Sequence, residues 1–286
     1  MKPIFAIDIT NDKKNTDLGG QEFVVATTSA WQAAALERSE ETAESMVKKS
    51  KHPLLLRIIA YSCLLLGFTM LFGFIRGASE VGVTQAYQNA SWIIWISAVC
   101  LIIGGLLTAL ERRQSKTVME SRATQNALST LDRVTESVYE ELGVPQNARD
   151  VDVLIFRYKL KNGKPIPKTV GLASSPFINT AVKIFIRDDH LCLADLEKTY
   201  AFHRSTLRAI RTVKKNILLP NWNKPTPPME GHYKPYKMQV NQYGQVILRT
   251  YHILELEQNN QLYAIYFPAY DRPLFESATG LRAEGV

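Results

Sequence analysis

Six basic residues in the last third of the chain have the side chains best suited to binding chemistry. They are Arg204, Arg208, Arg211, Lys214, Lys215 and Lys224. A basic cluster attracts anions, and near an acidic membrane each lysine or arginine adds about 1 kcal/mol of binding free energy. The cluster predicts a site for acidic lipid headgroups or for a protein partner. The alternative is that its charges only solvate one face of the fold.

The other polar residues form no recognisable catalytic or metal-binding motif. The histidines lack the spacing of metal ligands, and residues 188–190 (Asp-Asp-His) are typical of a polar turn. The chain has no GxSxG sequence and no glycine-rich phosphate loop. Its 3 cysteines are too scattered for a metal site or a disulfide framework. We therefore expect no enzyme activity, no metal and no cofactor.

The net charge of +7 also raises the question of a nucleic-acid partner. Three aromatic residues lie among the lysines and arginines of the last third of the chain: Trp222, Tyr233 and Tyr236. Side chains that stack on nucleobases would be expected in such positions. Aromatic residues near strand ends more often pack in a core, and much of the positive charge lies beside apolar segments. The pattern argues against nucleic acid.

Two uncharged apolar blocks, Ile58–Ile75 and Ala90–Leu110, come close to the roughly 20 residues that cross a bilayer. They predict transmembrane helix 1 over 58–76, an extracytoplasmic loop over 77–89 and transmembrane helix 2 over 90–110. Buried core helices would be the alternative, but such helices are seldom this long without a charge.

Lysine and arginine placement predicts the orientation of these spans. The flanking bases are Lys48, Lys49, Lys51 and Arg57 before the first span, and Arg112, Arg113, Lys116 and Arg122 after the second. The connector 77–88 has none. We therefore predict a multi-pass protein of the plasma membrane, of bacterial inner-membrane type, with both termini cytoplasmic.

The segments beside the spans are rich in helix-forming residues and predict two cytoplasmic helices, 29–57 and 111–143. Together they would form an antiparallel helical stalk. The apolar stripes would include Trp31, Ala35, Thr42 and Met46 on the first helix, and Ala127, Leu131, Val134 and Val138 on the second. These stripes leave a coiled coil and homo-oligomerisation open. The small-residue pairs Gly73/Gly77 and Gly105/Ala109 suggest close helix contact in the membrane.

Alternating strands and turns fill residues 149–286 and predict a mainly antiparallel β domain, either a barrel or an α+β fold. A short terminal helix is expected from Tyr270 to Thr279. Residues 1–28 contain two more β-prone runs and predict an N-terminal hairpin. Because an isolated hairpin is marginal in water, we expect Ile4, Phe5, Ile7, Phe23 and Val25 to pack on the C-terminal sheet.

The C-terminal domain resembles the pleckstrin-homology-like (PH-like) domains of bacterial membrane proteins. The similarity lies in two antiparallel runs of strands, a central segment from Leu207 to Lys224 and the closing helix PAYDRPLFESATGL. A Pro-rich insert, 225–235, falls outside the minimal pattern. The resemblance implies a binding or scaffolding module rather than an enzyme.

These features together predict a non-enzymatic membrane-anchored protein. It would present a cytoplasmic PH-like domain to a protein partner or to acidic lipid headgroups. Two other functions stay open: a membrane-associated hydrolase or transferase with an unrecognised site, and a structural subunit of a membrane complex.

Overall fold

The structure is a computed structural model that describes residues 1–9, 20–49, 54–162, 164–169, 175–220, 222, 224–242 and 244–284. The chain divides into two compact units. A helical unit comprises Ala34–Thr135, and a β-rich unit combines Met1–Ala33 with Glu136–Val286. Both ends of the chain therefore belong to one folded unit.

The helices are α1 (Ala30–Lys49), α2 (Leu54–Val81), α3 (Val83–Met119), α4 (Arg122–Glu141) and α5 (Arg272–Thr279). Two of them, α2 and α3, are long and apolar enough to cross a membrane, over Leu56–Val81 and Val83–Val118. The connector 77–89 is helical rather than the predicted loop. Gly82 makes the turn at φ +89°, a conformation that glycine adopts without steric cost, and Ala90 interrupts the helical geometry of α3.

Small residues bring α2 and α3 into close contact, but they are not the predicted pairs. A Cβ atom added at Gly67 would lie 2.7 Å from Leu101, and one added at Gly104 would lie 2.7 Å from Leu64. The Ser97 hydroxyl donates a 2.6 Å hydrogen bond to the Gly67 carbonyl. Added Cβ atoms at Gly73, Gly77 and Gly105 would meet nothing within 4 Å.

The predicted helix 111–143 is interrupted at Glu120 and Ser121. Ser121 begins α4 as its N-cap, because its hydroxyl accepts the backbone N–H of Thr124 at 3.3 Å. In the helical unit, α1 and α4 line a shared cavity of about 490 Å³.

Several predicted stripe residues, such as Ala35 and Val134, border this cavity. Trp31 departs from the predicted stripe on α1, because its side chain is 68% exposed, and the buried residues of α1 include Ser39 and Ala43, which the stripe did not contain.

The strands of the main sheet are β1 (Lys2–Pro3), β2 (Ala6–Asp8), β3 (Val24–Thr27), β4 (Arg149–Lys161), β5 (Lys164–Pro167), β6 (Phe177–Arg187), β7 (His190–Ala194), β8 (Lys198–His203), β9 (Leu207–Val213), β13 (Tyr251–Gln258), β14 (Gln261–Pro268) and β15 (Ala283–Glu284). Its order is β15-β9-β13-β14-β4-β6-β7-β8-β3. A second sheet has the order β10 (Ile217–Leu219), β12 (Val246–Leu248), β11 (Gln239–Val240). The C-terminal part is thus mainly antiparallel.

The run 246–256 is divided between the two sheets. Val246–Leu248 pairs with β10, and Tyr251–Gln258 pairs with β9 and β14. The two larger of the three hydrophobic cores that the described residues of the β-rich unit form are associated with the two sheets. One lies inside the main sheet around Leu193, Phe202 and Phe267, and the other lies under the second sheet.

The N-terminal strands do not form a hairpin with each other. β1 pairs in parallel with β14, β2 pairs in parallel with β4, and β3 pairs antiparallel with β8. Ile4, Phe5 and Phe23 lie in the first core, whereas Val25 points outward and is 54% exposed.

We predict that Ile4→Ala lowers the free energy of unfolding of the β-rich unit by about 2–5 kcal/mol, because it leaves a cavity in a filled core. Val25→Ala removes an exposed side chain from the same segment and should change this free energy by less than about 0.5 kcal/mol. Hydrogen exchange of the β14 amides in the detergent-solubilised protein measures both effects. Equal exchange in the two variants would show that residues 2–8 do not stabilise the sheet.

Candidate functional site

The three arginines of the predicted basic cluster are all in ion pairs with carboxylates of the β-rich unit. Arg208 lies 3.0 Å from Glu257 and Arg211 lies 2.8 Å from Glu255, both across the β9–β13 pair. Arg204 lies 3.8 Å from Asp189 and also donates to the Ala278 carbonyl. The carboxylates neutralise much of the charge that the sequence pattern presents as one cluster.

The other three residues do not complete a common site. Lys214 and Lys215 are exposed after the end of β9. Lys224 is almost buried, and its ammonium lies 2.6 Å from the carboxylate of Asp152. The structure therefore separates Lys224 from the other five.

Asp152 is the centre of a buried polar cluster that the sequence analysis did not identify. Its side chain is fully buried on β4 and receives hydrogen bonds from Lys224 (2.6 Å), from the Tyr270 hydroxyl (2.5 Å) and from the Asn179 amide (3.5 Å). Its backbone N–H donates to the Asp271 carboxylate at 2.7 Å. A buried carboxylate is tolerated only when its oxygens have such partners.

The cluster attaches the Pro-rich insert to the main sheet. Lys224 immediately precedes the insert. Nearby, Trp222 packs against Tyr233 of the insert and against Tyr270, with ring centroids 4.8 and 5.6 Å apart. The indole N–H of Trp222 donates to the Thr226 carbonyl at 2.9 Å. These contacts give the ion pair a structural role, since a buried lysine without its carboxylate would be strongly destabilising.

The surroundings of Asp152 stabilise the protonated forms of two neighbouring acids, Asp271 and Tyr270. Burial raises the pKa of Asp271 to about 7, and the neighbouring carboxylate of Asp152 adds to the rise. Burial and the hydrogen bond to Asp152 also raise the pKa of Tyr270.

On β13, burial lowers the pKa of His252 to about 4.

A second feature that the sequence analysis did not identify is a basic hairpin formed by β4 and β5. Lys159 lies opposite Ile166, and Lys161 lies opposite Lys164. The backbone N–H of Lys168 bonds to the Arg157 carbonyl and extends the same register.

Because strand side chains alternate between two faces, the four lysines and Ile166 share one face of the hairpin, here called the lysine face. None of the described residues of β4 and β5 on this face is a carboxylate. The alternation of lysines in KLKNGKPIPK was the signal available in the sequence.

Histidine and carboxylate groups are also close together at the β6–β7 turn. The rings of His190 and His203 have centroids 5.0 Å apart, and His203 lies 3.8 Å from Asp189. Within the described ranges, no three His, Cys, Asp or Glu residues are placed to hold a metal ion.

Comparison with protein families, with curated proteins and with solved structures finds no match to this chain.

We predict that Asp271→Asn changes how stability depends on pH. Between about pH 4 and about pH 7 the folded protein holds a proton on Asp271 that the unfolded chain releases, so this group makes stability fall as pH rises. His252 acts in the opposite direction, because its folded pKa is lowered.

Asp271→Asn keeps an oxygen that can accept the Asp152 N–H, and it removes the proton uptake of Asp271 without changing the titration of His252. Its unfolding free energy relative to the unsubstituted protein should rise by about 2–4 kcal/mol across that range, as measured by urea unfolding. Asp188→Asn, in an exposed turn, is the control. A constant difference between Asp271→Asn and the unsubstituted protein would contradict the assignment.

Proposed function

We propose that this protein is a non-enzymatic, membrane-anchored binding module whose β-rich unit recognises acidic lipid headgroups. The anchor is the pair α2 and α3. Large apolar side chains such as Leu65, Phe72, Trp95 and Ile102 are exposed along these helices, which is favourable in hydrocarbon and costly in water.

Contacts between α2 and α3 support insertion as a hairpin. In lipid, helix association depends on close packing and polar contacts rather than on the hydrophobic effect. Gly67 and Gly104 each receive a leucine from the other helix, and Ser97 bonds to the backbone of Gly67. At the ends that continue into α1 and α4, Arg57 pairs with Glu111.

The orientation follows from the charges at the span ends and from the division of the chain. Lysines and arginines flank both spans on the sides that continue into α1 and α4, and residues 77–88 contain none. Residues 1–33 and 136–286 belong to one folded unit, so the two flanks must lie on the same side of the membrane. We assign that side to the cytoplasm.

Strand order supports the PH-like character of the β-rich unit. A meander of β4, β6, β7 and β8 is followed by a second meander of β9, β13 and β14, and then by α5. The two meanders meet at one bridge, Tyr266 opposite Leu154. Phe275 of α5 stacks on Phe267 at 3.9 Å. This chain adds the N-terminal strands and the second sheet to that pattern.

The lysine face is the main evidence that the ligand is an acidic lipid headgroup. The described residues of β4 and β5 place four ammonium groups and no carboxylate on this face, and each ammonium would gain about 1 kcal/mol near anionic headgroups. Ile166, 37% exposed on the same face, offers an apolar contact to the acyl boundary. The arginines of β9, in contrast, already have acidic partners.

The test uses the full-length protein in nanodiscs of phosphatidylcholine, mixed with separate vesicles that contain phosphatidylglycerol. Changing Lys159, Lys161, Lys164 and Lys168 together to Gln should weaken vesicle binding at least about tenfold, because it removes the whole unpaired charge of the face. Flotation at increasing salt measures the loss, and binding of the unsubstituted protein should decrease with salt.

A matched control changes four exposed basic residues outside the face, Lys215, Lys234, Lys237 and Arg249, to Gln. It alters the net charge equally and should retain most of the binding. If both quadruple variants lost vesicle binding equally, the binding would come from general charge attraction and not from a site on the lysine face. Equal binding to pure phosphatidylcholine vesicles would reject the proposal.

A further inference from the structure

A cavity of about 250 Å³ opens on the β-rich unit beside the turn between β7 and β8. Its lining comes from residues 5–6, from β4 and β6, and from the turn 195–197 with the start of β8. The polar part of the lining comprises Thr180, Asp195 and Glu197. The apolar part comprises Phe5, Ala6, Ile155, Ala181, Leu196 and Tyr200. The chemistry of this lining is opposite to that of the lysine face.

Two aromatic rings form a fixed wall of the cavity. Phe5 and Tyr200 are both buried, and their rings make an edge contact with centroids 5.0 Å apart. Phe5 is held there because the neighbouring backbone pairs with the sheet, and its carbonyl accepts the N–H of Phe156 at 2.9 Å. A ring face turned toward the cavity would attract a cation through its negative charge.

Asp195 supplies a carboxylate whose orientation is also fixed. Its Oδ1 accepts the backbone N–H groups of Glu197 at 2.7 Å and Lys198 at 2.6 Å. Both of these hydrogen bonds end on Oδ1. Among the described residues no hydrogen bond to Oδ2 is found, so Oδ2 is the oxygen that a ligand could contact. Burial raises the pKa of Asp195, and the charge of Glu197 adds to the rise while the charge of Lys198 opposes it. A cation bound in the cavity would further stabilise the ionised carboxylate.

We propose that this cavity binds an organic cation, an ammonium or guanidinium group on a short apolar stem. Asp195 would accept the hydrogen bonds of the cation, Phe5 and Tyr200 would contact its stem and charge, and Glu197 would attract it from solvent.

The volume lies near the lower limit of about 300 Å³ for small-molecule sites, so the bound group must be small. Both carboxylates would repel an anion. The site therefore differs in charge and position from the headgroup site proposed for the lysine face, and it can be tested separately.

The experiment uses full-length protein in detergent micelles with ¹³C-labelled methyl groups. Butylammonium, butylguanidinium and an end-blocked Ala-Lys-Ala peptide serve as cationic probes, and butanol serves as the neutral analogue. Saturable shifts are expected at the methyl groups of Ile155, Thr180 and Ala181 with the cations but not with butanol. Tighter binding of the peptide than of the free cations would assign the site to a protein partner's side chain, and the reverse would assign it to a soluble amine or guanidine.

Asp195→Asn is the decisive variant, because the amide oxygen still accepts the two N–H groups of the turn while the charge is lost. It should weaken cation binding about tenfold, the loss expected for one charge-assisted hydrogen bond. Asp188→Asn, in the β6–β7 turn, should bind like the unsubstituted protein. Unchanged affinity in Asp195→Asn, or equal shifts with butanol, would overturn the proposal.

Discussion

The pairing of the N-terminal strands with the C-terminal sheet is the constraint on which the rest of the structure depends. β4 and β14 meet only where Leu154 lies opposite Tyr266, and beyond that bridge the short strands β1 and β2 pair with them. Ile4 and Phe5 complete the first core at this position. Since both chain ends belong to one unit, the chain between them must leave that unit and return to it. A membrane segment placed in this excursion must contain an even number of spans.

Sequence patterns were sufficient for the features that depend on local periodicity or on long apolar runs. The two apolar helices follow from uncharged runs of spanning length, and strands such as β4, β7 and β8 follow from alternation and turn residues. Such patterns do not specify which strands pair. The partners of β1 and β2 are more than 140 residues away, so the sequence suggested a hairpin that the structure replaces with parallel pairing.

The buried cluster could not be predicted for a similar reason. Asp152 reads as the polar residue of an alternating strand, and it is buried only because the second sheet and the insert cover that face of β4. In the sequence Lys224 is one of several basic residues, and only the folded chain brings it to Asp152. The alternating lysines of the lysine face are visible in the sequence, but the sequence does not give the β4–β5 register. That register places four lysines on one face, and the described residues of β4 and β5 add no carboxylate to it.

The β-rich unit thus carries two regions of opposite charge, and it is joined through α1 and α4 to the two apolar helices. We propose that both flanks of those helices lie on the cytoplasmic side of a membrane. Single cysteines at the exposed positions Ser45, Ser79 and Ser129, with the native cysteines replaced by alanine, test it most directly. An impermeant maleimide applied to intact cells should label Ser79→Cys alone. Labelling of Ser45→Cys or Ser129→Cys from outside, or protection of Ser79→Cys, would contradict the account.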